Sequence, residues 1–421
     1  MWYQYLINIF KIKDLRKKVL FIFLIFAIFR ILANIPIPGV DVQRLSELFQ
    51  QFATLGLLNI FTGGTLERFS IAMLGLGPYV IAMVILQLLT MIIPALERLY
   101  KEEGEEGRKK FEQYGRLLTP ILAAIQAFGM LAFFSSQGII TETSLLSKIS
   151  SIFVITAGTV FLMWLGELIS EKKIGEGISL LIFAGIVAAI PNSVLSFVVN
   201  FDINKIFSYI LFFLLAFLII FFVVFVTEAK RIIPVSYAKR IRGFKMYGGA
   251  TSYLPFSINP AGVMPIIFAL SILTLPSMIF SFLQASPNRI GEIALRLNET
   301  FNNEIFYGTL YFLLVIVFTF FYTAIIFDPK KVAENLQKMG GFIPGIRPGE
   351  NTSLYLSSIL NRILVFGSLF LGSVAILPFI ITSITNVQTF DFLIGGTSVL
   401  ILVSVVLHTF EKIKAEIEMR E

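Results

Sequence analysis

The chain has 421 residues, of which 56% are hydrophobic and 14% charged, with a formal net charge of +7; ordinary globular domains carry about 25% charged residues. Its 44 Phe outnumber its 34 Lys plus Arg, so the composition excludes a water-soluble protein of this size and indicates a polytopic membrane protein. Absence of cysteine removes disulfides and thiolate sites, and one histidine, His408, leaves little for imidazole chemistry, so neither an enzyme nor a cofactor or metal is expected.

A bilayer-crossing helix needs about 20 predominantly apolar residues. In chain order ten segments qualify, at 19–35, 71–93, 117–134, 151–169, 178–199, 206–226, 263–283, 305–327, 363–381 and 392–410. Barrel strands alternate apolar and polar residues, whereas FFLLAFLIIFFVVFV is apolar all round, so the spans are helices. The first follows Lys11, Lys13, Arg16, Lys17 and Lys18 and ends in NIPIPG without a small-x-small cleavage site; it reads as an uncleaved span. Placing both ends of the chain in the cytoplasm gives that face 27 Lys/Arg and the other face 6, the asymmetry expected of cytoplasmic loops. The net charge is then a matter of topology and partners, not of nucleic-acid binding by a basic fold.

The expected fold class is all-α: ten transmembrane helices in two inverted five-helix halves, 1–200 and 201–421. An odd number of spans per half inverts the second half relative to the first, a plan common among transporters. Three stretches depart from a plain bundle. Residues 56–80, GLLNIFTGGTLERFSIAMLGLGPYV, carry Glu67 and Arg68 and break at Gly75, Gly77 and Pro78; non-helical backbone at membrane depth requires protein or a water-filled cavity around it. A short re-entrant helix at 64–72 is expected there, the alternative being a long loop leading into one kinked span. The loops 227–262 and 328–362 mix basic residues with glycine and proline, and their length and turn chemistry read as docking surface.

No ionisable residue sits at the centre of a span, which disfavours an ion-coupled transporter. Ser236-x-x-Lys239 and GGATS near Gly248 lack the companions of a hydrolase pair or a phosphate loop. What remains is apolar: Leu76 and Val80 one turn apart, Ile178 and Ile182 one turn apart, with Ile267 and Ile401. By spacing alone these are ordinary bundle residues.

The ordered segments FRILANIPIPGV (29–40), FTGGTLERFSIAMLGLGPYVIAMVILQLL (61–89), GEGISLLIFAGIVAAIP (175–191), RIIPVSYAKR (231–240), NPAGVMPIIFA (259–269), GGFIPGIRPGENT (340–352) and GGTSVLILV (395–403) resemble the SecY protein-translocation channel family over nearly the whole chain. The resemblance implies two five-helix halves around a central pore that opens across the membrane and sideways into lipid. It assigns the pore ring to Leu76, Val80, Ile178, Ile182, Ile267 and Ile401; isoleucine is usual at these places, so Leu76 and Val80 depart from the family. It assigns the re-entrant plug helix to the segment holding Gly64, Thr65, Leu66, Glu67, Arg68, Phe69 and Ser70. It places a lateral gate between spans two and three and spans seven and eight, with Gln87 and Gln126 as polar contacts, and partner docking at Lys239, Arg240 and Arg347. The implied partners are SecE-like and SecG-like subunits, a SecA motor or a ribosome, signal sequences and nascent chains, and the lipid bilayer, with nucleic acid met only as ribosomal RNA. The implied location is the bacterial cytoplasmic membrane. A small-solute secondary transporter remains the alternative.

Overall fold

The computed structural model describes residues 11–41, 44–45, 59, 62–140, 144–199, 201–237, 240–242, 245–247, 251–284, 289–385 and 396–419. In chain order the helices are α1 (Lys13–Ala33), α2 (Gly77–Thr90), α3 (Pro94–Lys101), α4 (Gly104–Ser136), α5 (Leu145–Glu171), α6 (Gly177–Val199) and α7 (Ile206–Glu228), then α8 (Met264–Gln284), α9 (Arg289–Asn302), α10 (Glu304–Ile326), α11 (Pro329–Lys338), α12 (Glu350–Thr385) and α13 (Gly396–Glu418). Each of the ten apolar segments overlaps a helix over most of its described residues. Among the described residues five helices are long and apolar enough to cross a membrane, or six if α2 and α3 form one span bent by 109°. The helix α1 falls short because its first turns hold Lys13, Asp14, Arg16, Lys17 and Lys18.

The all-α expectation needs correction. Five strands lie at one end of the bundle: β1 (Lys230–Tyr237), β2 (Arg240–Arg242), β3 (Lys245–Tyr247), β4 (Thr251–Ser257) and β5 (Gly341–Phe342). The strands β1 and β4 pair antiparallel from Lys230↔Ser257 to Ser236↔Thr251, and β2 pairs with β3 beyond them. The second loop then joins the first, because β5 pairs with β1 at Ser236↔Phe342 and Tyr237↔Gly341. Beneath this sheet Ile233, Phe256, Ile343, Leu356 and Leu360 form a small apolar core with the first turns of α12. The two basic loops are therefore one platform. At its base the Lys230 ammonium donates to Glu411 of α13 at 2.7 Å, and that hydrogen bond holds Lys230 above the usual lysine range.

Among the described residues, helices from residues 1–200 pack on helices from 201–421 at several points. The helix α8 packs on α2 and α4, and α13 packs on α6. Lys18 of α1 and Glu416 of α13 pair at 2.6 Å.

Candidate functional site

The site is built where the first half enters the bundle. Gly63 through Leu76 form a succession of turns, not a helix, and this corrects the expected plug helix at 64–72. Positive φ at Gly63 (74°), Gly64 (78°), Phe69 (47°) and Gly75 (55°) interrupts the helical dihedrals repeatedly. The Thr65 hydroxyl donates to the carbonyl of Thr62 at 2.9 Å, a local bond that competes with helix. Pairing with the chain after α1 completes the segment: Ile37 N–H donates to Phe69 O at 2.9 Å and Ile71 N–H to Ile35 O at 3.0 Å.

The side chains of this segment divide by polarity. Thr65, Leu66, Phe69 and Ser70 are buried, and the Phe69 ring meets Phe134 of α4 edge-on at 5.4 Å. Glu67 and Arg68 are exposed: Glu67 accepts from Asn59 at 3.0 Å, and Arg68 donates to the Asn34 side-chain oxygen. The segment is thus a buried apolar knot with its charges turned outward.

Against it lies a cavity of about 70 Å³ lined by Leu66, Leu76, Val80, Gln126, Ile182 and Ile267, with Met73, Met130 and Leu270 filling out the wall. Such a volume holds a few water molecules; it does not hold a polypeptide. Four of the six predicted ring residues share this wall. Ile401 is buried in the same apolar cluster without reaching the cavity, and Ile178 packs against that cluster while half-buried in the first turn of α6. Sequence reasoning missed Met130, Leu270 and Ser271. Each lies one helical turn from a residue it singled out, and that spacing was the available signal.

Both predicted glutamines border α8 or its neighbour α10. Gln126 lines the central cavity opposite Ile267, and Gln87 lines a second cavity, of about 420 Å³, with Tyr100, Arg108, Glu112, Ile325 and Lys331. Burial pushes the Tyr100 hydroxyl up, Arg108 opposing and Glu112 adding to the shift. Across this second cavity the Lys331 ammonium donates to the carbonyl of Lys101, at the end of α3, at 3.1 Å. Between the two cavities α8 packs on α2 and α4.

On the platform Arg347 is exposed, on a turn held from both sides. Ile346 N–H donates to Ile343 O, the Thr352 hydroxyl donates to Arg347 O at 3.0 Å, and Gly345 and Gly349 adopt φ of 82° and 99°. Lys239 lies outside the described residues; Arg240 begins β2.

A SecY family model matches residues 70–410. The protein translocase subunit SecY of Aquifex aeolicus is 42% identical over 422 residues, covering 98% of this chain and 96% of that one. The chain belongs to the SecY family. Two solved structures share the fold: a SecY whose plug domain stabilises the closed state of the translocation channel (TM-score 0.65, 21% identity, 95% and 92% of the two chains), and Sec61 from a canine ribosome–channel complex of the endoplasmic reticulum (TM-score 0.62, 18% identity, 95% and 92%). A SecY subunit is a multi-pass membrane protein that conducts polypeptide across the membrane and is not an enzyme. The cavity wall is mostly aliphatic, and aliphatic walls bind no side chain strongly.

Proposed function

We propose that unfolded secretory polypeptide passes through the cavity between the halves 1–200 and 201–421, and that apolar segments leave sideways between α8 and the pair α2 and α4. The observation that carries this reading is that one cavity wall combines the plug residue Leu66, the aliphatic side chains Leu76, Val80, Ile182 and Ile267, and the seam residue Gln126. The ring seals the resting channel, the segment 64–70 fills its mouth, and a passing chain displaces both. A segment at the open seam partitions by its own hydropathy: apolar residues contribute about −0.3 to −0.6 kcal/mol each and a central charge costs about +2.5 to +3.5.

In this reading ten helices cross the cytoplasmic membrane of a bacterium, with both termini and the sheet platform on the cytoplasmic side. The platform docks a SecA motor or a ribosome through Arg347, Lys239 and Arg240, and SecE-like and SecG-like subunits complete the channel. The deciding experiment is Arg347→Glu in reconstituted vesicles. The side chain is exposed, and its turn is held by the Ile346 N–H and the Thr352 hydroxyl without using the guanidinium, so the variant folds, and motor binding and translocation both drop. Retention of both at the unmodified level would overturn the docking assignment.

A further inference from the structure

The helix α9 lies at the end of the bundle away from the sheet, because α8 starts seven residues after β4 ends and its 21 residues then run about 32 Å. Its sequence RIGEIALRLNETFN places Ile293, Ala294, Leu297 and Phe301 on one stripe, with Glu292 and Arg296 on the other side. Half of the stripe is used inside the protein. Ala294 is buried, and Phe301 is held edge-on between Phe280 of α8 and Phe306 of α10, with centroids at 5.4 and 5.5 Å.

The other half is not. Ile293 is 59% exposed and Leu297 40%, one turn apart. The helices that α9 connects also expose Ile279 of α8 and Ile305 of α10, each next in sequence to a phenylalanine that meets Phe301, and exposed apolar side chains on the helices of a multi-pass membrane protein face lipid. An amphipathic helix that links two such membrane helices settles with its apolar side about 5–10 Å into the boundary between headgroups and acyl chains. We propose that α9 is a membrane-surface helix whose covering partner is the lipid bilayer, with Ile293 and Leu297 below the headgroups and Glu292 and Arg296 toward water. Because Phe301 is wedged between Phe280 and Phe306, the seated helix holds the ends of α8 and α10 at a fixed depth.

The absence of cysteine allows a direct test. Ile293→Cys, Leu297→Cys and Arg296→Cys variants each carry a nitroxide in vesicles of phosphatidylethanolamine and phosphatidylglycerol, and spin relaxation by oxygen is compared with relaxation by a water-soluble nickel chelate. Oxygen dominating several-fold at 293 and 297, with nickel dominating at 296, is the expected result. Nickel dominating at all three sites places α9 in water and overturns the proposal. Protection from both reagents at 293 and 297 means that protein covers the flank, and overturns it equally. The two apolar positions are read independently, so a failure of one variant to fold leaves the other decisive.

Discussion

Gly63 and Gly185 meet backbone to backbone. A methyl group on Gly63 would fall 2.7 Å from the Cα of Gly185, and one on Gly185 would fall 2.5 Å from the Cα of Gly63. The first glycine opens the segment 63–76 at φ 74° and the second lies within α6, so this contact seats that segment against the helix that carries Ile182.

Gly185→Ala is the informative substitution. Alanine favours helix by about 0.8–1.0 kcal/mol over glycine, so a harmful effect can come only from the contact. Overpacking of this kind costs about 1–3 kcal/mol, and each 1.4 kcal/mol is tenfold in an equilibrium. The displaced-plug population should rise roughly tenfold, read as resting ion conductance in planar bilayers. Gly64→Ala meets nothing within 4 Å and carries only the strain of its positive φ. A leak from Gly64→Ala that exceeds the leak from Gly185→Ala would count against the seating role.

The ring residues should separate into two classes. Ile182→Asn and Ile267→Asn put an amide on the cavity wall, stabilise water in it and raise resting conductance. Ile401, 1% exposed and away from the cavity, should respond as a core position: asparagine there leaves a buried polar group without a partner, at about 1–3 kcal/mol, and lowers the thermal midpoint in detergent. Equal leak from all three variants would show that the cavity boundary does not define the seal.

The limits of the sequence reading have physical causes. Helix positions were legible because lipid demands long apolar runs. The strands were not, because Pro234 and Pro255 made RIIPVSY and TSYLPFS look like turns. The sheet tolerates Pro234 because β5 reaches only Ser236 and Tyr237, leaving β1 with an open edge there. The plug was legible as an interruption, since TGGTLERFS carries charge and paired glycines; its conformation was not, since the positive φ of Phe69 has no residue-type signal. The contact of Gly63 with Gly185 joins residues far apart in the chain, and no periodicity encodes it.

Joining the two basic loops through β5 makes Gly341 a test of the platform. A Cβ at this position would lie 3.1 Å from the Tyr237 ring and 3.3 Å from the carbonyl of Leu336. Gly341→Val adds two further methyls and should separate β5 from β1. The expected outcome is faster tryptic cleavage within 227–262 and weaker motor binding, with resting conductance unchanged because the cavity lies elsewhere. Unaltered cleavage would mean that the loops hold their places without the shared sheet.

Lys18 and Glu416 tie the first helix to the last, with side chains 21% and 15% exposed. A hydrogen bond to a charged group at such a site contributes about 1.5–3 kcal/mol. Lys18→Glu and Glu416→Lys should each lower the thermal midpoint in detergent, since each leaves two like charges face to face. The double exchange should recover the loss and can exceed the native protein. Glu416 lies in the last turn of α13, where the carbonyl ends of the helix disfavour an acid and favour a base by about 0.3–1 kcal/mol. The native arrangement works against that field, and the exchanged one works with it. A double variant no more stable than either single one would mean that packing of α13 on α6, and not this pair, joins the halves.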